Sequence, residues 1–189
     1  MAALIVNLQL FFLIAVVWVL QTQIIYPLER TLLDPSWVEV ASTLFLPAGF
    51  KVIIAVIMGW MAAPAILFST IFGMWLHTDD LLFSSQFAIE STVSLYIPIL
   101  LIRFLKGGYQ GVDTTKESMS LFRTAVVVTI VAALLNAFFS TVLYGTSAPL
   151  GIWLHFLIGD LLGTVTVVGL VVLFRQSIYL WISQRLLRK

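Results

Sequence analysis

Leu44-Phe-Leu-Pro-Ala-Gly-Phe-Lys-Val-Ile-Ile-Ala-Val-Ile-Met-Gly-Trp60 is an apolar run interrupted by one charge, Lys51, and by Pro47 and Gly49. A second apolar run, from Met61 to about Leu76, follows without a linker. Similar runs are strung almost end to end along the 189 residues. A helix needs about 20 mostly apolar residues to cross a bilayer. Windows of that kind fall at about 4–20, 40–60, 61–76, 86–105, 121–144 and 151–174. The fold class is therefore all-α: one transmembrane domain over 1–189, a polytopic bundle of about six spans with a cytoplasmic tail at 175–189.

Composition agrees. The hydrophobic fraction is 61% and the charged fraction 10%, where a soluble domain carries roughly 25% charged residues. The net charge of +1 gives no basic field for nucleic acid. The absence of cysteine removes disulfides, thiol catalysis and Cys-ligated metal, and no sequence feature calls for a cofactor. The first span lacks a basic n-region and a small-residue cleavage site, so it reads as retained.

The second span is predicted to be broken at Pro47–Gly49. Proline interrupts the helical ladder and glycine adds backbone freedom. From Phe50 to Trp60 a helix rises only about 16 Å, short of a hydrocarbon core about 30 Å thick. Either a kinked helix spans, or an irregular segment enters and becomes helix near mid-depth. Irregular backbone at that depth must be buried in protein or line a wet cavity. Pro64 suits the first turn of the third span.

Charge sets the expected orientation. Arg103, Lys106, Lys116, Arg123, Arg175, Arg185, Arg188 and Lys189 fall on one side of the six-span map, and Arg30 on the other. The positive-inside rule then puts both termini in the cytoplasm and the 21–39 and 77–85 loops outside, with Glu29, Asp34, Glu39, Asp79 and Asp80 on the outer surface. Loop 21–39 reads as an outer segment lying on the membrane, and glycine-rich loop 106–120 as a cytoplasmic connection. Trp18, Trp37, Trp75 and Trp153 near outer ends, with Trp60 and Trp181 near inner ends, read as interfacial belts.

Ionisable groups inside spans cost about 2.5–3.5 kcal/mol each on insertion scales, so they tend to be paired, hydrated or used. Lys51, Glu90, His155 and Asp160 are the candidate ligand-binding residues, expected to line one cavity open to the periplasm. A small polar solute, or a ligand with both an amine and an acid group, would suit that lining. Lys51 could instead form a structural pair with Asp160 or Glu90, or reach an interface. Gly159 and Gly163 form a small-x-x-x-small face for close helix approach. Asn136 and Ser140, at i and i+4, give a polar face for inter-helix hydrogen bonds. Pro47, Gly49, Asn136, Gly159 and Gly163 are thus read as packing residues.

Leu44-Phe-Leu-Pro-Ala-Gly49 resembles the aromatic/Leu-x-Pro-Pro-Ala-Gly signature of the bacterial membrane-associated sensor domain MASE, first described type. Trp153 followed by Gly159-Asp160-Leu-Leu-Gly163 is similar to its Trp and Gly-Asp-x-x-Gly pattern. Pro64 after Gly59-Trp60, and Arg103 closing the fourth span, also fit. Nearly the whole chain is covered in order. Lys51 departs from it, standing where the family is usually apolar, and Glu90 and Ser91 match its fourth-span polar positions only in kind. The resemblance implies a multi-span sensory module of the bacterial inner membrane, usually preceding a diguanylate cyclase, histidine kinase or phosphatase domain. The resemblance usually brings an output domain after the last span, and none follows Lys189 here, so either a separate kinase, cyclase or transporter partner is expected or the chain is not a sensor in the usual sense.

Two other classes compete. Six spans in about 190 residues also suit the substrate-binding subunit of a vitamin transporter, but the first span lacks the Ala-x-x-x-Ala docking face of such subunits. An enzyme has less support: His-Glu-x-x-His and Gly-x-Ser-x-Gly are absent, and a Gly-x-Gly-Asp protease motif fails because position 157 is leucine.

Overall fold

The computed structural model describes residues 2–33, 42–105, 118–144 and 149–186, with side chains unassigned at 2, 118–120, 144, 149–152 and 175–186. Asp34, Trp37, Glu39, Lys106, Lys116, Arg188 and Lys189 lie outside the described residues, as do the side chains of Arg175, Trp181 and Arg185. Every regular element among the described residues is helical. Five stretches are long and apolar enough to cross a membrane: Ala3–Leu32, Leu46–Thr78, Leu81–Leu105, Leu121–Leu143 and Trp153–Phe174.

Helix α1 (Ala2–Leu20) passes through a π-helical turn (Gln21–Ile25) into α2 (Tyr26–Leu32). The first helical stretch therefore continues through Leu32, where a loop from residue 21 is expected from sequence. No proline or glycine separates Leu20 from Tyr26, and Pro27 sits in the first turn of α2, where its missing N–H is harmless.

Residues 42–45 are not helical, and α3 spans Leu46–Met58 with Pro47 in its first turn. The proline thus starts this helix. The 40–60 window is helical only from Leu46 among its described residues. At about 1.5 Å per residue, α3 is about 20 Å long. A 3₁₀ turn, Gly59–Ala62, leads into α4 (Ala63–Thr78), whose first turn holds Pro64. Gly59 has φ +61°, a conformation natural to glycine. The Arg103 guanidinium occupies the space where a Cβ would stand. Asp79, in the left-handed region, closes α4 before α5 (Leu81–Leu105). α6 (Ser118–Tyr144) and α7 (Pro149–Leu186) complete the chain.

Contacts fix the directions. The Ala65 N–H donates to Asn7 Oδ1 at 3.2 Å, and Trp18 lies on Gly73, so α1 and α4 run parallel. Leu46 begins beside Gln21, at the far end of α1, and α3 ends at Gly59, beside Tyr96 and Arg103 near the end of α5. The end holding Gln21, Leu46 and Asp79 is called upper below.

Helix α3 packs against α1, α5, α6 and α7 and is the buried axis of the bundle. Between Pro47 and Val56 only Phe50 escapes full burial. Val52, Ile53, Ile54 and Val56 meet Ile14, Ile66, Leu95, Val128 and Val167 in the core. The outer helices expose large apolar side chains, Phe12, Val16, Leu101, Phe104 and Leu173 among them, as a lipid-facing surface requires. Trp18 departs from the belt reading. It is 3% exposed, packs edge-on to Phe45 at 5.2 Å and covers Gly73, because only a residue without a side chain lets the indole lie on α4. Trp60 and Trp75 are exposed.

Candidate functional site

The site begins with backbone. The strap of residues 42–45 comes down from the upper end before α3 starts, and its non-helical peptide groups, packed among helices, need partners. Two side chains from the first helical stretch provide them. Glu29 Oε1 accepts the Leu44 N–H at 2.7 Å, and Glu29 Oε2 accepts the Ser42 hydroxyl at 2.6 Å. Gln21 Nε2 donates to Ser42 Oγ at 2.8 Å, while Gln21 Oε1 accepts the Leu46 N–H at 3.1 Å. Pro47 has no N–H, and the Ala48 N–H donates to the Phe45 carbonyl at 3.2 Å. The first donors of α3 are thereby met.

On its other side the strap lies on α7. The Phe45 N–H donates to the Gly159 carbonyl at 3.1 Å. A Cβ at Gly159 would strike the Ser42 carbonyl oxygen, and one at Gly163 the Phe45 carbonyl oxygen. A Cβ at Gly49 would meet the Gly163 carbonyl. The small-residue face of α7 therefore accommodates the strap as well as a helix, the refinement to the sequence expectation. Pro47, Gly49, Gly159 and Gly163 meet at one crossing.

Asp160 lies between the two α7 glycines, and Lys51 follows Gly49 by two residues on α3. Both line a cavity among α3, α5, α6 and α7, with Ser91, Thr129 and Asn136. Its free volume is about 20 Å³, enough for a water molecule and too little for an organic solute. Lys51 is 6% exposed, donates from Nζ to Ser91 Oγ at 2.9 Å, and stands 5.9 Å from the Phe45 ring centre. Asp160 faces Lys51 across this space, with no ion pair or hydrogen bond between the two. Asn136 is 7% exposed, and its Oδ1 has no hydrogen-bond partner among the described residues. Thr129 is tied to Thr164 by a 2.9 Å hydroxyl pair, which joins α6 to α7 beneath the cavity.

Glu90 and His155 are not among the residues lining this cavity. Glu90 is buried and accepts the Ser140 hydroxyl at 2.7 Å. That bond uses one half of the Asn136/Ser140 face to clamp α5 to α6, while Asn136 faces the cavity. His155 is partly exposed on α7. Trp153 donates its indole N–H to Thr141 at 3.1 Å, so it binds α7 to α6 near the upper end.

Gln21, Glu29, Ser42 and Ser91 are not among the candidate site residues read from sequence. Glu29 sits in a stretch that reads as an exposed acidic loop, and its partners are 13 and 15 residues away. The only signal was compositional: a carboxylate and an amide eight residues apart flanking an apolar segment.

No curated protein matches the chain, and no solved structure matches it. A family model does: MASE1 matches residues 6–189. The match takes in the strap, α3 and the Gly159-Asp160-x-x-Gly163 turn, the parts that build the cavity. A multi-pass helical membrane domain with these elements, matched over nearly all its length, belongs to the MASE1 family of membrane-associated sensor domains.

Proposed function

We propose that this domain senses through the Lys51–Asp160 cavity and relays the state of that cavity down α7 to a signalling output. The observation that carries this reading is the placing of two opposite charges, with the unpartnered Asn136 oxygen, around a water-sized space inside an apolar bundle. Ionisable groups held at such depth mark functional positions by default. Asp160 is on the same helix that runs on to Leu186, about 39 Å further along its axis. A displacement at Asp160 is therefore a displacement of a rigid rod. A small polar solute, or one with an amine and an acid group, matches the lining in charge and needs the cavity to widen.

In this reading the bundle crosses the membrane six times, α3 and its strap making one crossing and α4 the next. The reversal at Gly59, with α1 parallel to α4, supports that count. Both termini are cytoplasmic in the inner membrane, and the upper end faces the periplasm. An impermeant thiol reagent applied to intact cells should label Asp80→Cys and leave Arg123→Cys unlabelled. Labelling of Arg123→Cys alone would invert the topology.

Relay is tested by distance. Spin labels at Leu105→Cys and Phe174→Cys report the lower part of α7 against α5, and the chain has no cysteine of its own to interfere. Asp160→Asn removes the charge while keeping shape. The label distance should then change by about 1–2 Å, the size of a helix shift in switching proteins. An unchanged distance distribution in the folded variant would refute relay through α7.

A further inference from the structure

The strap is fastened differently on its two sides. Toward α7 it is held by one backbone hydrogen bond, from Phe45 to Gly159, and by close packing on glycine. Toward α1 and α2 it is held by a buried network of side chains, Gln21 and Glu29 meeting Ser42, Leu44 and Leu46. Glu29 is the strongest point, because hydrogen bonds to a carboxylate are roughly twice as strong as neutral ones. The network's anchor lies just beyond a π-helical turn, an irregularity that in helices often marks a working position. This turn puts Gln21 and Glu29 in reach of one strap.

The strap covers the turn of α7 that carries Asp160, since Ser42 and Phe45 lie on Gly159 and Gly163. Phe45 also faces Lys51. The cavity beside them, lined by Lys51 and Asp160, is water-sized. A larger solute that approaches Lys51 and Asp160 from the upper end along the seam of α3 and α7 meets the strap first.

We propose that residues 42–45 form a lid over the Lys51–Asp160 cavity and that Glu29, with Gln21, is its catch. The inference rests on the sensory reading of that cavity and adds how access is governed: the site opens when the Glu29 network lets go, and closes when Ser42 and Leu44 return to it. The lid stays in place in this structure because the carboxylate accepts from a hydroxyl and a peptide N–H of the strap. Leaving such groups unmade inside the bundle disfavours the closed position. Lid motions of this kind set access to sites in many proteins.

The test uses the full chain in detergent micelles with Ala132→Cys, a small change at a position that lines the cavity. The probe is methanethiosulfonate ethylammonium, a thiol reagent larger than the closed space. With Glu29 intact, modification should be slow. With Glu29→Ala it should be at least 10-fold faster, and with Glu29→Gln the rise should be smaller, because the amide can still accept from Leu44. Ser42→Ala, which removes the hydroxyl's contacts with Glu29 and Gln21 but spares the carboxylate's bond to Leu44, should also raise the rate and supplies the test if Glu29→Ala does not fold. Equal rates in folded parent and catch variants would overturn the lid, as would fast modification of the parent. These rates are independent of the label distance on α7. A lid that opens without relay refutes only the sensory reading; relay without any change in access refutes only the lid.

Discussion

Gly163→Ala should destabilise the fold by about 3 kcal/mol or more. The expected loss exceeds an ordinary overpacking because the new methyl would strike backbone, the Phe45 carbonyl, and not a side chain that can rotate away. The neighbouring contacts offer no relief. Gly49 already brings α3 against the Gly163 carbonyl, and the strap is tethered from behind by Gln21 and Glu29. Either α7 moves outward and the cavity opens, or the strap leaves its place. Gly169→Ala is the internal control. Nothing lies within 4 Å of a Cβ at Gly169, and alanine is favoured over glycine in a helix by roughly 0.5–1 kcal/mol. That variant should be neutral or slightly more stable. Thermal melting followed by tryptophan fluorescence separates the two, and equal behaviour would mean that the strap does not lie on α7.

Removing one charge from the cavity should be nearly as damaging. Lys51→Met leaves Asp160 facing an apolar neighbour, and Asp160→Leu leaves Lys51 with Ser91 alone. Deleting one partner of a buried, contacting pair typically costs about 3–5 kcal/mol; here the two groups face each other across a cavity and Asp160 is partly exposed, so the loss is smaller. The water-sized space beside them softens this, so about 2–4 kcal/mol is expected for each single variant. Ser91→Ala, which leaves both charges, should cost only about 1 kcal/mol. Melting temperatures of the three variants provide the check; a Ser91→Ala loss as large as that of Lys51→Met would make the lysine's hydrogen bond, and not its charge, the important feature.

Some of this was legible from residues alone. An apolar composition with long runs can only bury itself in lipid, so the all-helical membrane class followed from physics that needs no partner. Lys51 and Asp160 were legible because a charge in an apolar run is locally anomalous. Pro47, Gly49, Gly159 and Gly163 were legible as places where backbones come close. What approaches Gly159 and Gly163 was not, since a strap and a helix ask the same of a glycine. Glu29 was hidden for a related reason: a carboxylate among loop-forming residues looks solvated until the chain folds Ser42 and Leu44 onto it. Trp18 was misread because tryptophan at a span end suits an interface, and only Gly73 on another helix makes room for it in the core. Glu90 looked like a cavity group by depth, yet depth along a helix does not say which neighbour a side chain meets, and it meets Ser140.

The most direct measurement is the double variant Lys51→Met/Asp160→Leu, melted beside its two single parents in the same micelles. If the two residues make one site, each single variant strands a charge and the double variant strands none. Its melting temperature should then recover most of the loss, giving a coupling of about 2 kcal/mol or more between positions 51 and 160. Strict additivity, with the double variant losing the sum of the two single losses, would show that Lys51 and Asp160 do not act across a shared cavity.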